Sequence, residues 1–333
     1  MVDRTTTNPC PWPRAAPLTA AHLAVKMAPM SFFERLEARA RTIDSPLCVG
    51  LDPRVGPSSA DAPATVLDAN RRIIDATADL ALCYKPNIAF YEQLGPDGIR
   101  ALIDTIAAIP EGIPVLLDAK RGDIGATAEA YATAVRNLRV DAVTVSPYMG
   151  SDSIAPFTQA GLAVFVLCRT SNPGGSEFQT LPVAASGVDA DRSTRSSRYL
   201  YEVFAEKACE WSGEVGLVVA GNDAQALGRI RGMLPDTWLL APGIGAQGGL
   251  MEEAVAAGLR SDGLGLLPVV ARGIAQAEDP ARATRDYVEG FRLARDAAMS
   301  AKPVATGASA ARPKQSAAAG NVTDLLDAII DTG

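Results

Sequence analysis

The sequence predicts an α/β fold: a (β/α)8 barrel of the TIM type, one domain with a disordered tail at each end. Three observations carry this expectation. Eight short apolar runs recur between residues 47 and 273. Amphipathic stretches of helical period follow them. The runs are nearly continuous in hydrophobicity rather than alternating, as in strands covered on both faces, and such strands belong to parallel sheets. Eight units of this kind suit a closed barrel. An open doubly wound sheet ranks below it, because no G-x-G-x-x-G follows the first run.

Residues 1–30 open with MVDRTTTNPCPWPRAAP, polar and proline-rich, and read as a flexible extension with no fold of its own. The barrel is assigned to residues 31–298. Its strands are expected in LCVGLDPR (47–54), LALCYKPNI (80–88), PVLLDAK (114–120) and DAVTVSP (141–147). The second half supplies AVFVLCRTS (163–171), GEVGLVVAG (213–221), TWLLAPGIG (237–245) and GLGLLPVVARG (263–273). Helical patterns include 65–80, 126–138 and 249–258. Pro268 breaks the eighth run, since proline cannot donate a ladder hydrogen bond. Residues 299–320, rich in Ala, Ser, Gly and Pro, read as a flexible linker. The last stretch, NVTDLLDAIIDTG (321–333), has the pattern of a short amphipathic helix.

Composition narrows the chemistry. Among 333 residues, 48% are hydrophobic, ample for a packed core. The net charge of −7 repels nucleic acid and anionic membrane, so an anionic substrate needs a local positive site. The single histidine, His22, lies in the N-terminal extension. Imidazole-based triads, acid–base pairs and metal sites are therefore not expected. Five cysteines, Cys10, Cys48, Cys83, Cys168 and Cys209, form no C-x-x-C pair. That pattern predicts neither a disulfide framework nor a zinc site, but reduced thiols in a cytoplasmic protein. No apolar run approaches a membrane span, and the N-terminus lacks a signal-peptide core.

In a barrel, polar residues at the C-terminal ends of strands face the active site. Those ends supply Asp52, Lys85, Asp118 with Lys120, Ser171, the GIGAQGG loop and Arg272. The densest stretch is VLLDAKRGDIGATA, in which Asp118 and Lys120 are two apart and share one face of a strand. Asp123 and Thr127 follow in the loop and first helical turn. A lone Asp or Lys at a strand end is usually a cap or a surface pair. An Asp-x-Lys-x-x-Asp after four apolar residues is different. Burying such charges costs several kcal/mol per ion unless they are well paired, which stability alone does not require.

This stretch resembles the signature of orotidine 5'-phosphate decarboxylases. The resemblance runs from about Ser31 to Ala294 and includes GLDPR, CYKPN, RTSNPGG, PGIGAQGG and ARGI in family order. It is to the bacterial-type subgroup with longer loops. The resemblance implies a cofactor-free, metal-free conversion of orotidine 5'-phosphate to UMP and CO2. It implies that Lys120 donates the proton to the carbon losing CO2, with Asp118 beside the departing carboxylate. Lys85 and Asp123 complete a charged tetrad, Asp123 reaching across a homodimer interface together with Thr127. Asp52 and Thr127 are implied to hold ribose hydroxyls, Ser171 the pyrimidine, and Gln247 and Arg272 the phosphate. The C-terminal segment resembles the opening of an orotate phosphoribosyltransferase: a fusion remnant, a truncation or an unrelated helix.

The physics fits those roles. Loss of CO2 leaves a carbanion that no adjacent carbonyl delocalises. A fixed cation about 4 Å away contributes roughly 4 kcal/mol at an effective dielectric of 20, and a preorganised one reorganises little. Three other readings use the same barrel. A Schiff-base aldolase needs a neutral lysine, which apolar or cationic surroundings favour and neighbouring aspartates oppose. A metal-dependent sugar-phosphate enzyme shares Asp-x-Lys-x-x-Asp but lacks core histidine here. A non-catalytic nucleotide-binding homologue predicts loss of a tetrad member, and all four are present.

Overall fold

The computed structural model of the chain describes residues 30–54, 62–183, 198–211, 213–244 and 249–301. The extension up to residue 29, the linker from residue 302 and the C-terminal segment lie outside them, as does Gln247. All the strands among the described residues lie before Met299.

Eight strands carry the fold: β1 (Cys48–Leu51), β2 (Cys83–Pro86), β3 (Leu116–Arg121), β4 (Ala142–Val145), β5 (Ala163–Arg169), β6 (Val215–Val219), β7 (Leu239–Pro242) and β8 (Leu266–Val270). Their hydrogen-bonded order is β2-β1-β8-β7-β6-β5-β4-β3, with every pairing parallel. Bridges Tyr84–Val115 and Asn87–Asp118 join β2 to β3 and close the ring. Each strand thus lies beside its sequence neighbours. Helices Ala62–Thr77, Gly95–Ala108, Gly125–Asn137, Ala155–Gln159, Leu200–Glu210, Ala224–Met233, Gly249–Gly258 and Pro280–Ala301 follow the strands in turn. This is the expected (β/α)8 TIM barrel.

The strands are mostly shorter than the apolar runs, because the runs continue into the loops that carry the strands' ends. Pro268 sits inside β8; pairing with β1 starts only at Val269, one residue beyond it. A two-stranded antiparallel pair, Pro182–Val183 with Arg198–Tyr199, was not expected from the sequence.

Strand parity separates two buried layers. Val49, Leu51, Tyr84, Leu117, Val143, Val164, Leu217 and Leu239 pack outward against the helices. Cys48, Cys83, Leu116, Ala142, Ala163, Phe165, Val218, Leu240 and Leu267 point into the barrel. Both faces are therefore covered, which is why the runs read as continuous apolar segments.

A helix before β1, Phe32–Ile43, completes the inner layer with Phe32, Leu36 and Ala40. Ser31 and Glu34 form a reciprocal capping box at its start. The Glu214 carboxylate accepts the next free N–H groups, Phe32 at 2.8 Å and Phe33 at 3.0 Å. Phe32 and Phe33 meet Phe165 edge-on, and Phe33 stacks on Trp238. The helix plugs the N-terminal end of the barrel and leaves the other end to the loops.

Candidate active site

The same parity that hides Cys83 and Leu116 inside the barrel aims Lys85 and Asp118 inward two residues later. Thr144 follows Ala142 in the same way on β4. The inward face thus changes from apolar to polar toward the C-terminal ends of the strands. Gly50 lets β1 approach the end of β8: a Cβ there would meet the Ala271 Cβ at 2.6 Å.

Lys85 is 4% exposed. Its Nζ lies 3.1 Å from Asp118 Oδ2 and 3.8 Å from Asp52 Oδ1. Burial alone favours the neutral amine, but Asp118 and then Asp52 outweigh it, and the net effect raises the Lys85 pKa above the ordinary lysine value. Lys85 is held as a cation, opposite to what a Schiff-base nucleophile requires.

Asp118 receives four donors, two on each oxygen. Lys120 Nζ at 2.6 Å and Thr144 Oγ1 at 2.9 Å donate to Oδ1. Lys85 Nζ at 3.1 Å and Asn87 Nδ2 at 3.4 Å donate to Oδ2. Burial pushes the carboxyl pKa up, but Lys85, Lys120 and the hydroxyl of Thr144 pull it down to about 2. Asp118 is a saturated, ionised carboxylate between two ammonium groups.

Lys120 reaches Asp118 by a route the sequence did not suggest. Regular pleating is not what brings the two together. The register between β3 and β4 shifts between Leu117 and Arg121, and Lys120 has φ 48°. This left-handed backbone costs a non-glycine residue about 1 kcal/mol. It leaves half of the Lys120 side chain exposed, with its ammonium still on Asp118.

These groups line a cavity of about 950 Å³ at the C-terminal end of the barrel. Asp52, Lys85, Asp118 and Lys120 form its charged wall, Ser171 and Asn172 a polar side, and Arg272 the edge beyond β8. Leu167, Val218, Leu240 and Val269 form an apolar wall. Asp52 Oδ1 is buried without a hydrogen-bond partner. Among the described residues, no three His, Cys, Asp or Glu side chains converge as a metal site requires.

Comparison with known proteins identifies the family of the chain. The profile of the Orotidine 5'-phosphate decarboxylase / HUMPS family matches residues 45–287. The chain belongs to this family. It is 47% identical over 275 residues to the orotidine 5'-phosphate decarboxylase of Thermomicrobium roseum, covering 80% of this chain and 94% of that one. The corresponding Halobacterium salinarum protein is 50% identical over 246 residues, 72% of this chain and 87% of that one. The solved OMP decarboxylase of Leishmania donovani superposes with a TM-score of 0.71 at 46% identity, covering 80% of this chain and 99% of that one.

Of the residues singled out from the sequence of this decarboxylase-family chain, six share the cavity: Asp52, Lys85, Asp118, Lys120, Ser171 and Arg272. Asp123 and Thr127 do not line it. The Asp123 carboxylate accepts the Ile124 N–H at 2.8 Å, and Thr127 is exposed on the first turn of Gly125–Asn137. Two polar partners were missed, Asn87 and Thr144. Asn87 had a signal in its place directly after Lys-Pro at a strand end. Thr144 had a fainter one: it is the one hydroxyl in the apolar run AVTV, where threonine also serves as an ordinary strand former.

Proposed function

We propose that the protein decarboxylates orotidine 5'-phosphate to UMP and CO2, without a cofactor, as a homodimer in the cytoplasm. The observation that carries the reading is the Asp118 carboxylate clamped between Lys85 and Lys120 on the wall of the barrel cavity. Membership of the decarboxylase family supports it.

In this reading the substrate carboxylate leaves beside Asp118, and the electron pair stays on the ring carbon. The Lys120 ammonium faces that charge as it forms, then gives its proton to the same carbon. Lys85, kept protonated by Asp118 and Asp52, adds a second fixed positive charge. Asp118 holds the Lys120 ammonium in place, so little reorganisation accompanies the step. Asp52 Oδ1, buried and without a hydrogen-bond partner although Lys85 lies 3.8 Å away, suits a ribose hydroxyl donor. Ser171 contacts the pyrimidine. Arg272 pairs with the phosphate through its guanidinium fork, together with Gln247. Phosphate binding, remote from the breaking bond, supplies energy for assembling the site.

Asp123 and Thr127 are proposed to complete the site of a second copy. Near them in sequence are exposed apolar side chains, Ile124 at 55% and Tyr131 at 37%, and the segment after β4 adds Tyr148 at 87% and Met149. Arg121, over the Tyr131 ring, ties that side chain to the end of β3. Exposed apolar side chains of this size suit a contact with a second copy.

The test is direct. Purified protein in EDTA is mixed with orotidine 5'-phosphate; the substrate absorbance is expected to fall and UMP to appear in equal amount. No UMP over hours at micromolar enzyme would end the proposal.

A further inference from the structure

The contact between β3 and β4 contains an irregularity that bears on the site. Leu117 pairs with Val143 and Arg121 with Val145. Between these pairs, Asp118, Ala119 and Lys120 stand opposite Thr144 alone. A regular ladder has one residue there, so β3 carries two more than its partner can bond through its backbone. The N–H groups of Ala119, which is buried, and Lys120, whose N–H is part-buried, would be left over, and a buried donor without a partner costs as much as a lost hydrogen bond.

Thr144 takes both. Its Oγ1 accepts from the Ala119 N–H at 3.0 Å and from the Lys120 N–H at 2.9 Å. A hydroxyl has two acceptor positions and one proton. With both acceptor positions filled, the proton is free only to be donated, and Asp118 Oδ1 lies 2.9 Å away. The direction of that bond is therefore set by the backbone. Thr144 is 2% exposed, so water does not compete for it.

We propose that Thr144 is a positioning residue, whose hydroxyl stabilises the left-handed turn at Lys120 and orients the Asp118 carboxylate against the Lys120 ammonium. What this does to turnover rests on the decarboxylase reading above; the hydrogen-bond pattern itself does not. Valine at this position keeps the shape and deletes the hydroxyl, whereas serine keeps the hydroxyl and deletes a methyl group.

The experiment compares Thr144→Val and Thr144→Ser with the unaltered protein. In Thr144→Val, kcat for orotidine 5'-phosphate is expected to fall roughly 10- to 100-fold, the equivalent of one or two lost buried hydrogen bonds. KM is expected to change less than about threefold, since ground-state contacts remain. Thr144→Ser should recover most of kcat. The Asp118 carboxyl, followed by carbon NMR, should titrate at higher pH in the valine variant. A folded valine variant with unchanged kcat and unchanged Asp118 titration would overturn the proposal and leave Thr144 an ordinary strand residue. In the unaltered protein the Ala119 and Lys120 amides should resist hydrogen exchange; free exchange at both would overturn it even if the valine variant did not fold. Should the unaltered protein fail to act on orotidine 5'-phosphate, the functional reading falls. Amide exchange and the Asp118 titration then still decide the role of Thr144.

Discussion

Lys120 Nζ lies 2.6 Å from Asp118 Oδ1, although the backbone at Lys120 has left the strand geometry. The pair is held from both sides: Asp118 is fixed by three further donors, and the Lys120 backbone by Thr144. A cation presented this way is exposed enough to meet a substrate yet has one preferred direction. Lys120→Ala is expected to lower kcat by roughly 10⁴-fold, through loss of the proton donor and of the facing charge together. Because half of the side chain is exposed, the melting temperature should shift little. Steady-state absorbance kinetics and thermal unfolding check both parts. Near-normal turnover would remove Lys120 from the role of proton donor.

The legible part of this site follows from strand parity. Cys83 and Leu116 are apolar and inward, so Lys85 and Asp118 two residues on are inward too. The barrel was legible for a related reason: residues such as Val164 and Phe165 are buried against opposite layers, so the run shows no alternation. The rest depends on contacts distant in sequence. Glu214 caps a helix that begins about 180 residues earlier, at Phe32. Lys120 adopts its backbone because Thr144 stands opposite, and no local pattern around Lys120 announces that. Asp123 and Thr127 lie near in sequence to Asp118 yet outside its cavity, since β3 ends at Arg121 and the next helix starts at Gly125.

The ion pair should shape acid stability. Despite burial, its lysines and Thr144 hold the Asp118 carboxyl down to about 2 in the folded protein, against ~3.9 when unfolded. Its contribution, about 3 kcal/mol, is complete above about pH 5 and is lost as the pH falls through the folded value. Lys85 has a raised pKa. Its contribution is complete below the ordinary lysine value and is lost only as pH rises through the folded one. Asp118→Asn leaves the buried Lys85 ammonium with Asp52 alone, and is expected to cost about 3 kcal/mol at pH 7. That gap should narrow between about pH 5 and 2, as the unaltered protein loses what the variant already lacks. Urea unfolding at several pH values measures it; a gap independent of pH would mean that Asp118 is not held ionised by its lysines.

The N-terminal plug should matter for stability and not for catalysis. Leu36 is fully buried in the inner layer, at the opposite end of the strands from the charged wall. Leu36→Ala is expected to cost about 3 kcal/mol, the usual loss for a core leucine. Glu214→Ala should cost about 1 kcal/mol, by leaving the Phe32 and Phe33 N–H groups uncapped. In the folded variants kcat and KM should match those of the unaltered protein. A large fall in kcat for folded Leu36→Ala would show that the two ends of the barrel are coupled.

A shared site makes a sharper demand than a drop in activity. If Asp123 serves the cavity of a second copy, Lys120→Ala and Asp123→Ala damage different chains of the same site. Each variant alone should be nearly inactive. Mixed, unfolded and refolded together, half of the dimers contain one chain of each kind, and each mixed dimer has one intact site and one doubly damaged site. Roughly a quarter of all sites should then work, as the two-fold symmetry of such a dimer requires. If Asp123 instead acted within its own chain, every site in every mixture would lack one group, and mixing would restore nothing. Tyr148→Asp offers an independent check, placing a charge on the most exposed of these apolar side chains. It is expected to shift sedimentation toward the monomer and to lower turnover in proportion, with activity regained at high protein concentration. Full activity in a stable monomer would show that no residue of the site comes from a second chain.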